Sequence, residues 1–364
     1  LNGIETIRAT GSGRLMRKRF EDASKVQSEL GLRNRVLSQF AINAAASVQQ
    51  VAQIATIFFG VFLIQDGIVT MGSLIAAVIL GGRTLAPLSQ LASAMSRANS
   101  ARQAYRSLSQ LMQDDDSLEE MSAKLSRPEL VGTIELKNLS YTFPGANSPT
   151  LNDLSLKIPQ GQKVAIVGRM GSGKSTLARL MSGIVSPTSG AVLVDGIDTR
   201  QVDPSDLRRN VGFMLQETWL FSGTVKENIQ MGYYEHSDEH ILNVCKTAGV
   251  DSFISKHPSG YDLELRERGE GLSGGQKQSI NLARALLHDP KVIILDEPTS
   301  SMDQATEASV ISELKNWADG KTMIMITHRN SLLQLADRVL VMDSGEILTD
   351  TTPEKLRAQQ AARG

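Results

Sequence analysis

The chain has 364 residues, of which 41% are hydrophobic, 21% charged and 4% aromatic, with a formal net charge of -1. That balance excludes a disordered chain, a collagen-like repeat and a disulfide-stapled miniprotein. Near-neutral charge and scarce aromatics argue against a nucleic-acid partner, and the single cysteine, Cys245, cannot form an internal disulfide.

Residues 1–35 are basic, with Arg14, Arg17, Lys18, Arg19, Arg33 and Arg35 prominent. From Val36 to Gln65 no residue is charged, and Phe40–Ile64 is long enough to cross a hydrocarbon core of roughly 30 Å as a helix. Its Asn43, Gln49, Gln50 and Gln53 would need protein or cavity partners. Asp66-Gly67 reads as a tight turn, and a second apolar run, Ile68–Leu91, is interrupted by Arg83 and Pro87. Arg97, Arg102 and Arg106 follow, so basic residues flank both outer ends while the tip carries only Asp66. The positive-inside rule then puts both ends in the cytoplasm. The alternative, a buried hairpin in a soluble protein, conflicts with the charge-free length and the basic flanks. At 1.5 Å per residue Arg83 lies roughly 24 Å along the helix from Gly67, still inside the hydrocarbon core. It either lines a wet path or snorkels to the headgroups. The chain opens on Leu1 with no signal-peptide pattern, so further residues are expected to precede it.

Residues 110–128 form an acidic linker. Beyond Pro128, short apolar strands alternate with amphipathic helices, the texture of an α/β unit with a largely parallel core sheet. Lys163–Val167 is such a strand, and Gly168–Thr176 (GRMGSGKST) follows it as a GxxxxGK[ST] loop before a helical stretch. Gly168, Gly171 and Gly173 let backbone N–H groups converge on a β-phosphate, with Ser172 and Thr176 in the same loop. Lys174 adds positive charge for the β- and γ-phosphates, and Ser175 offers a hydroxyl to Mg²⁺. Downstream, Lys291–Pro298 (KVIILDEP) ends a strand in two carboxylates. Asp296 is suited to hold Mg²⁺ and Glu297 to polarise an attacking water.

Leu272–Gln276 (LSGGQ) lies between these motifs and resembles the signature of ATP-binding cassette (ABC) ATPases. The resemblance extends in order to Gln216 as the glutamine loop, Ser300–Asp303 (SSMD) as the segment crossing to a partner subunit, and His328 as the switch histidine. It implies an α/β phosphate-loop ATPase domain over 128–364, with a mixed, mainly parallel sheet and a helical subdomain. An all-α partial exporter transmembrane domain would occupy 1–127, with Leu1–Thr10 as a coupling helix. By the same resemblance ATP would bind between the loop of one copy and Ser273, Gly274, Gly275 and Gln276 of another, with Asp303 contributing. Glu297, His328, Gln216 and Lys174 would be catalytic, and Ser175, Gln216 and Asp296 would hold the metal. Phe143 would stack on adenine, Tyr141 would sit on the opposite strand face, and Glu264 would sense coupling helices. Ser279 stands where a basic residue is common, an expected change in local charge.

Met71–Pro87 and Gly271–Asp303 look most like type I secretion ATPases. That likeness implies a homodimer in the bacterial inner membrane, a periplasmic adaptor, an outer-membrane channel and an RTX-like protein substrate. A multidrug, peptide or lipid exporter is the alternative. A DNA-repair ATPase would separate Ser175 from Leu272 by far more residues, with heptads.

Overall fold

The computed structural model describes residues 4–113, 124–233 and 235–361. Most of the acidic linker and the first residues of the expected coupling helix lie outside them. The chain divides into two compact units, Leu1–Ser117 and Leu118–Gly364.

The first unit is helical: α1 (Ile4–Ala9), α2 (Gly13–Gln65) and α3 (Met71–Gln113). The 53 residues of α2 make a helix about 80 Å long, well over twice the thickness of a hydrocarbon core. Its basic first half therefore extends far beyond any span. The hairpin turns at Asp66-Gly67, where Gly67 has φ +68°, a conformation glycine adopts without a Cβ clash. Small residues let the two helices approach each other. A Cβ on Gly60 would lie 2.2 Å from Leu74 Cδ1, and one on Gly82 would lie 2.8 Å from Gln53 Nε2. Phe58, Phe59 and Phe62 stay exposed, which suits a helix whose outer face is covered by lipid.

Among the described residues Ala46–Gln65, with mean hydropathy 1.6, is long and apolar enough to span a membrane, and the apolar stretch Met71–Thr84 opens α3. Pro87 interrupts the apolar run but lies within α3, which continues to Gln113. Proline removes one backbone hydrogen bond there without stopping a helix already propagating on both sides.

In the second unit an antiparallel sheet joins β1 (Ile134–Tyr141), β2 (Leu151–Ile158), β4 (Ser189–Val194) and β5 (Ile197–Asp198) in the order β2-β1-β4-β5. The larger sheet contains β3 (Lys163–Gly168), β6 (Val211–Met214), β9 (Val292–Asp296), β10 (Thr322–Ile326), β11 (Arg338–Asp343) and β12 (Glu346–Thr351). Its order is β12-β11-β3-β10-β9-β6, parallel except for β12. A short ribbon pairs β7 (Gly223–Thr224) with β8 (Glu264–Leu265). The helices are α4 (Lys174–Met181), α5 (Pro204–Asn210), α6 (Val225–Gln230), α7 (Asp238–Thr247), α8 (Asp251–Ile254), α9 (Gly274–Leu286), α10 (Gln304–Trp317) and α11 (Pro353–Ala361).

The central strands show why their sequence is apolar throughout rather than alternating. Every residue of β9 and β10 is buried, because both faces of a parallel sheet are covered. Val292, Ile294, Ile324 and Ile326 pack into the core containing β1, β2 and α4. Ile293, Leu295, Met323 and Met325 point the other way, into the helical core of α6, α7, α9 and α10. The expected mixed sheet with a helical subdomain is what the chain forms. Ser279 is 1% exposed, on the buried face of α9 against the turn at Gly249, so it is also a packing residue.

Candidate functional site

The parallel strands β3, β9 and β10 deliver their carboxyl ends to one place, the usual location for ligands in such sheets. There a cavity of about 580 Å³ is lined by Phe143, Lys174, Ser175, Thr176, Gln216, Asp296, Glu297 and His328, with Gly171 and Gly173 of the loop. The phosphate loop bridges β3 and α4, and its glycines answer different demands. Gly168 has φ +154° and passes so close to β11 that a Cβ would sit 2.0 Å from the Met342 carbonyl oxygen. Gly171 meets nothing within 4 Å, so its φ of +79° alone favours glycine. Gly173 has φ +92° against the Leu151 side chain.

Lys174 folds back over the loop, its Nζ donating to the carbonyl oxygens of Gly168 (2.9 Å) and Arg169 (2.7 Å). Burial lowers its pKa, and the nearby Glu297 and Asp296 carboxylates oppose that shift. Ser172 is buried under the loop at 2% exposure.

Asp296 ends β9 and Glu297 follows it, both buried. Burial raises the Asp296 pKa, opposed by the Ser175 hydroxyl and by Arg179 and Lys174. Burial is also the main cause raising Glu297, with His328 opposing and Asp296 adding to the rise. Glu297 carries φ +52°, a conformation rare for a residue with a side chain, and its N–H donates to the Ile326 carbonyl oxygen at 2.9 Å. Strain held in place by neighbouring strands is frequent where a group must be aimed. His328 Nε2 lies 3.6 Å from Glu297 Oε1. Asp296 Oδ1 and Glu297 Oε1 are buried with no hydrogen-bond partner. Such orphaned oxygens, beside the Ser175 hydroxyl and the Gln216 amide, make a hard-donor set that fits Mg²⁺.

Phe143 lines the cavity, but Tyr141 differs from expectation. The strand ends at Tyr141, and residues two apart share a strand face rather than opposing each other. The rings meet edge-to-face, centroids 5.0 Å apart, with Tyr141 buried in the core and Phe143 41% exposed at the cavity. Tyr141 thus supports Phe143 from behind. Phe143→Ala should weaken ATP binding by about 1–3 kcal/mol, the scale of base–aromatic stacking, in a fluorescent-nucleotide titration. Tyr141→Ala should instead show mainly as lost stability in thermal melting.

The signature residues do not line this cavity. Ser273 caps α9, its Oγ accepting from Gln276 N (3.2 Å) while Gln276 Oε1 accepts from Ser273 N (2.8 Å). Because Oγ only accepts in this box, its hydroxyl proton remains free to donate. Gly274 and Gly275 fit because α9 starts against Ser301, whose carbonyl oxygen would lie 2.9 Å from a Cβ on Gly275. Asp303 likewise stands apart, capping α10 through Ala305 N and Thr306 N, both 3.0 Å. Glu264 is exposed on β8, and Arg83 is exposed on α3.

Two residues that sequence reasoning passed over hold these pieces together. Gln278, 3% exposed, donates to the Glu297 carbonyl oxygen (2.7 Å) and Ser300 Oγ (2.9 Å) and accepts from Ser301 N (2.8 Å). It ties the signature helix to the segment after the acidic pair. Glu307 accepts from Thr299 Oγ1 (3.0 Å), Ser331 Oγ (2.6 Å) and the Arg329 guanidinium, whose other nitrogen donates to the Ser300 carbonyl oxygen (2.8 Å). A polar residue on the buried face of an amphipathic helix was the available signal for both.

A phosphate loop, a strand-end acidic pair and a histidine on this mixed sheet define a nucleotide-binding ATPase domain of the ABC type. Residues 151–300 match the family described as ABC transporter, and residues 1–82 match the ABC transporter transmembrane region. The chain is 34% identical over 358 residues to the toxin RTX-I translocation ATP-binding protein of Actinobacillus pleuropneumoniae, covering 98% of this chain and 50% of that protein. It is 36% identical over 326 residues to the leukotoxin translocation ATP-binding protein LktB of Mannheimia glucosida, covering 90% and 46%. It therefore spans about half the length of the curated relatives it matches. A solved structure of a bacterial Atm1-family ABC exporter with ATP bound superposes with a TM-score of 0.85 at 27% identity, covering 99% of this chain and 65% of that one. The chain belongs to the ABC transporters, with an ATPase domain and part of an exporter-type transmembrane region.

Proposed function

We propose that this chain powers one-step type I secretion of an RTX-like protein by hydrolysing ATP between the ATPase domains of two copies. The convergence of Lys174, Ser175, Gln216, Asp296, Glu297 and His328 on one cavity carries the reading of ATP hydrolysis. The position of Ser273 outside that cavity supports supply of the signature by a second copy. The toxin-translocating relatives support the cargo class.

The triphosphate would lie on the loop N–H groups and the N-terminus of α4, with Lys174 leaving its carbonyl partners for the β- and γ-oxygens. Ser175, Asp296 and Gln216 would hold Mg²⁺, which supplies charge neutralisation to the phosphates. Glu297 would accept a proton from the attacking water as oxygen bonds to the γ-phosphorus and the bond to ADP breaks. His328 would contact the γ-phosphate, and the partner's signature would donate the Ser273 hydroxyl and helix N–H groups to it.

The same reading places the protein in the bacterial inner membrane as a multi-pass homodimer, working with a periplasmic adaptor and an outer-membrane channel. Residues 1–127 would be its partial transmembrane domain and 128–364 its ATPase domain, with Arg83 lining the path. A second reading, export of a drug, peptide or lipid, draws support from the likeness to an Atm1-family exporter. ATPase assays of the chain in vesicles separate them. Stimulation by an unfolded RTX-type polypeptide supports secretion, and stimulation only by lipid or small amphiphiles supports the alternative.

A further inference from the structure

Away from the phosphate cavity, the turn between α6 and α7 meets the loop that follows α9. Glu235, His236 and His288 come together there, one donor atom from each lying within 4.8 Å of the others. His236 Nε2 and His288 Nδ1 are 3.1 Å apart. Two bare ring nitrogens at that separation would repel through their lone pairs, so a proton or a cation must lie between them. A tetrahedral ion with metal–nitrogen bonds of about 2.0–2.1 Å would hold its ligand nitrogens roughly 3.3 Å apart. The observed pair is within about 0.2 Å of that edge.

The surroundings fix both rings in this pose. Tyr233 stands edge-on to His288, with centroids 4.4 Å apart, and His240 stacks on His236 at 5.1 Å. His240 Nε2 is committed to the Leu287 carbonyl oxygen at 2.7 Å, so this ring acts as a wall. Glu235 is exposed and pairs with Arg209 at 3.2 Å. It is the adaptable member, able to exchange a surface ion pair of small worth for an ion.

We propose that Glu235, His236 and His288 bind a zinc-class divalent transition-metal ion. Two imidazoles and a carboxylate leave a fourth position for water, a donor set that suits zinc and disfavours Mg²⁺ and Ca²⁺, which prefer oxygen ligands. The ion would join the turn before α7 to the far end of the helix whose first turn carries Ser273. At 13 residues that helix is about 20 Å long, so metal occupancy would stiffen the helical subdomain without touching the phosphate site.

The test is a titration of zinc alone into the metal-stripped full chain in detergent, without nucleotide, against a competing fluorescent chelator. One ion per chain is expected, with affinity falling about tenfold or more in His236→Gln, His288→Gln and Glu235→Gln. Glu235→Gln is an exposed change that leaves both rings in place, so its effect does not depend on a folding defect. Cobalt(II) should give the visible absorption of a tetrahedral site in the wild type and lose it in His288→Gln. His257→Gln, which removes an exposed histidine elsewhere, should leave zinc affinity unchanged. Wild-type binding no tighter than that of the His236→Gln/His288→Gln double variant would overturn the proposal and leave the pair as a structural hydrogen bond.

Discussion

Glu297→Gln should slow ATP turnover on the order of 10²-fold or more while leaving ATP binding intact, as expected for loss of a general base. Glutamine preserves the shape, the burial and the main-chain bond from Glu297 N to Ile326, so the φ of +52° has no new reason to relax. What disappears is the ability to take a proton. Burial raises the Glu297 pKa, which brings the base closer to its working pH without exchanging it for histidine. The sign follows directly. The base works when deprotonated, so turnover should fall on the acid side at a pH above the ordinary glutamate range, and the variant should lack that limb. Removing one of two adjacent negative charges also lessens repulsion of the triphosphate, so binding should hold or tighten. Phosphate release gives the rate, and size-exclusion chromatography should show an ATP-dependent dimer that persists in the variant. Normal turnover would remove Glu297 from the mechanism. Lys174→Ala should differ in kind, weakening nucleotide binding itself, because Lys174 is the cation inside the loop.

Much of the architecture was legible because it follows from strong local rules. The glycine-rich turn between an apolar strand and a helix, and the apolar strand ending in Asp296-Glu297, each require one backbone arrangement, and the structure contains both. Their meeting in one cavity was inferred only through resemblance, since no local rule brings together segments more than a hundred residues apart. The side of Tyr141 was misjudged, because residues two apart share a strand face and Tyr141 instead lies buried in the core behind Phe143. For Ser279 the sequence shows only a change in local charge, because the buried face of a helix is not visible in a motif. Gln278 and Glu307 were missed for a related reason. Their partners are main-chain atoms, hydroxyls and, for Glu307, a guanidinium from distant loops, so the sequence shows a polar residue on a helix's buried face but not what it binds.

The clearest consequence of that hidden network is that Glu307→Ala should destabilise the ATPase domain and impair turnover together. Glu307 is 7% exposed and is the common acceptor for Thr299, Ser331 and Arg329. Removing it leaves two hydroxyls without this acceptor and the Arg329 guanidinium without its carboxylate, though still bonded to the Ser300 carbonyl oxygen. Breaking a fully buried pair costs about 3–5 kcal/mol. Arg329 keeps 33% of its side chain exposed and can recover some hydration, so about 2–3 kcal/mol is expected. For a domain of this size each kcal/mol lowers the melting temperature by about 2–4 °C. Burial would raise the Glu307 pKa, but the hydrogen bonds from Ser331, Thr299 and Arg329 outweigh it and hold the value below the ordinary 4.5. A carboxylate lowered on folding stabilises fully above its unfolded pKa, and that contribution fades as pH falls through the lowered value. Glu307→Gln should therefore flatten the acid side of the stability profile, a change that a mere packing defect would not produce. The same carboxylate fixes the segments on both sides of the cavity, because Arg329 also donates to the Ser300 carbonyl oxygen and adjoins His328. Turnover in Glu307→Ala should fall more than nucleotide affinity, since the phosphate loop is untouched while the approach of His328 to Glu297 is loosened. Thermal melting from pH 4 to 8 beside steady-state kinetics makes the check, and an unchanged melting temperature at neutral pH would show that Glu307 is not the tie between these segments.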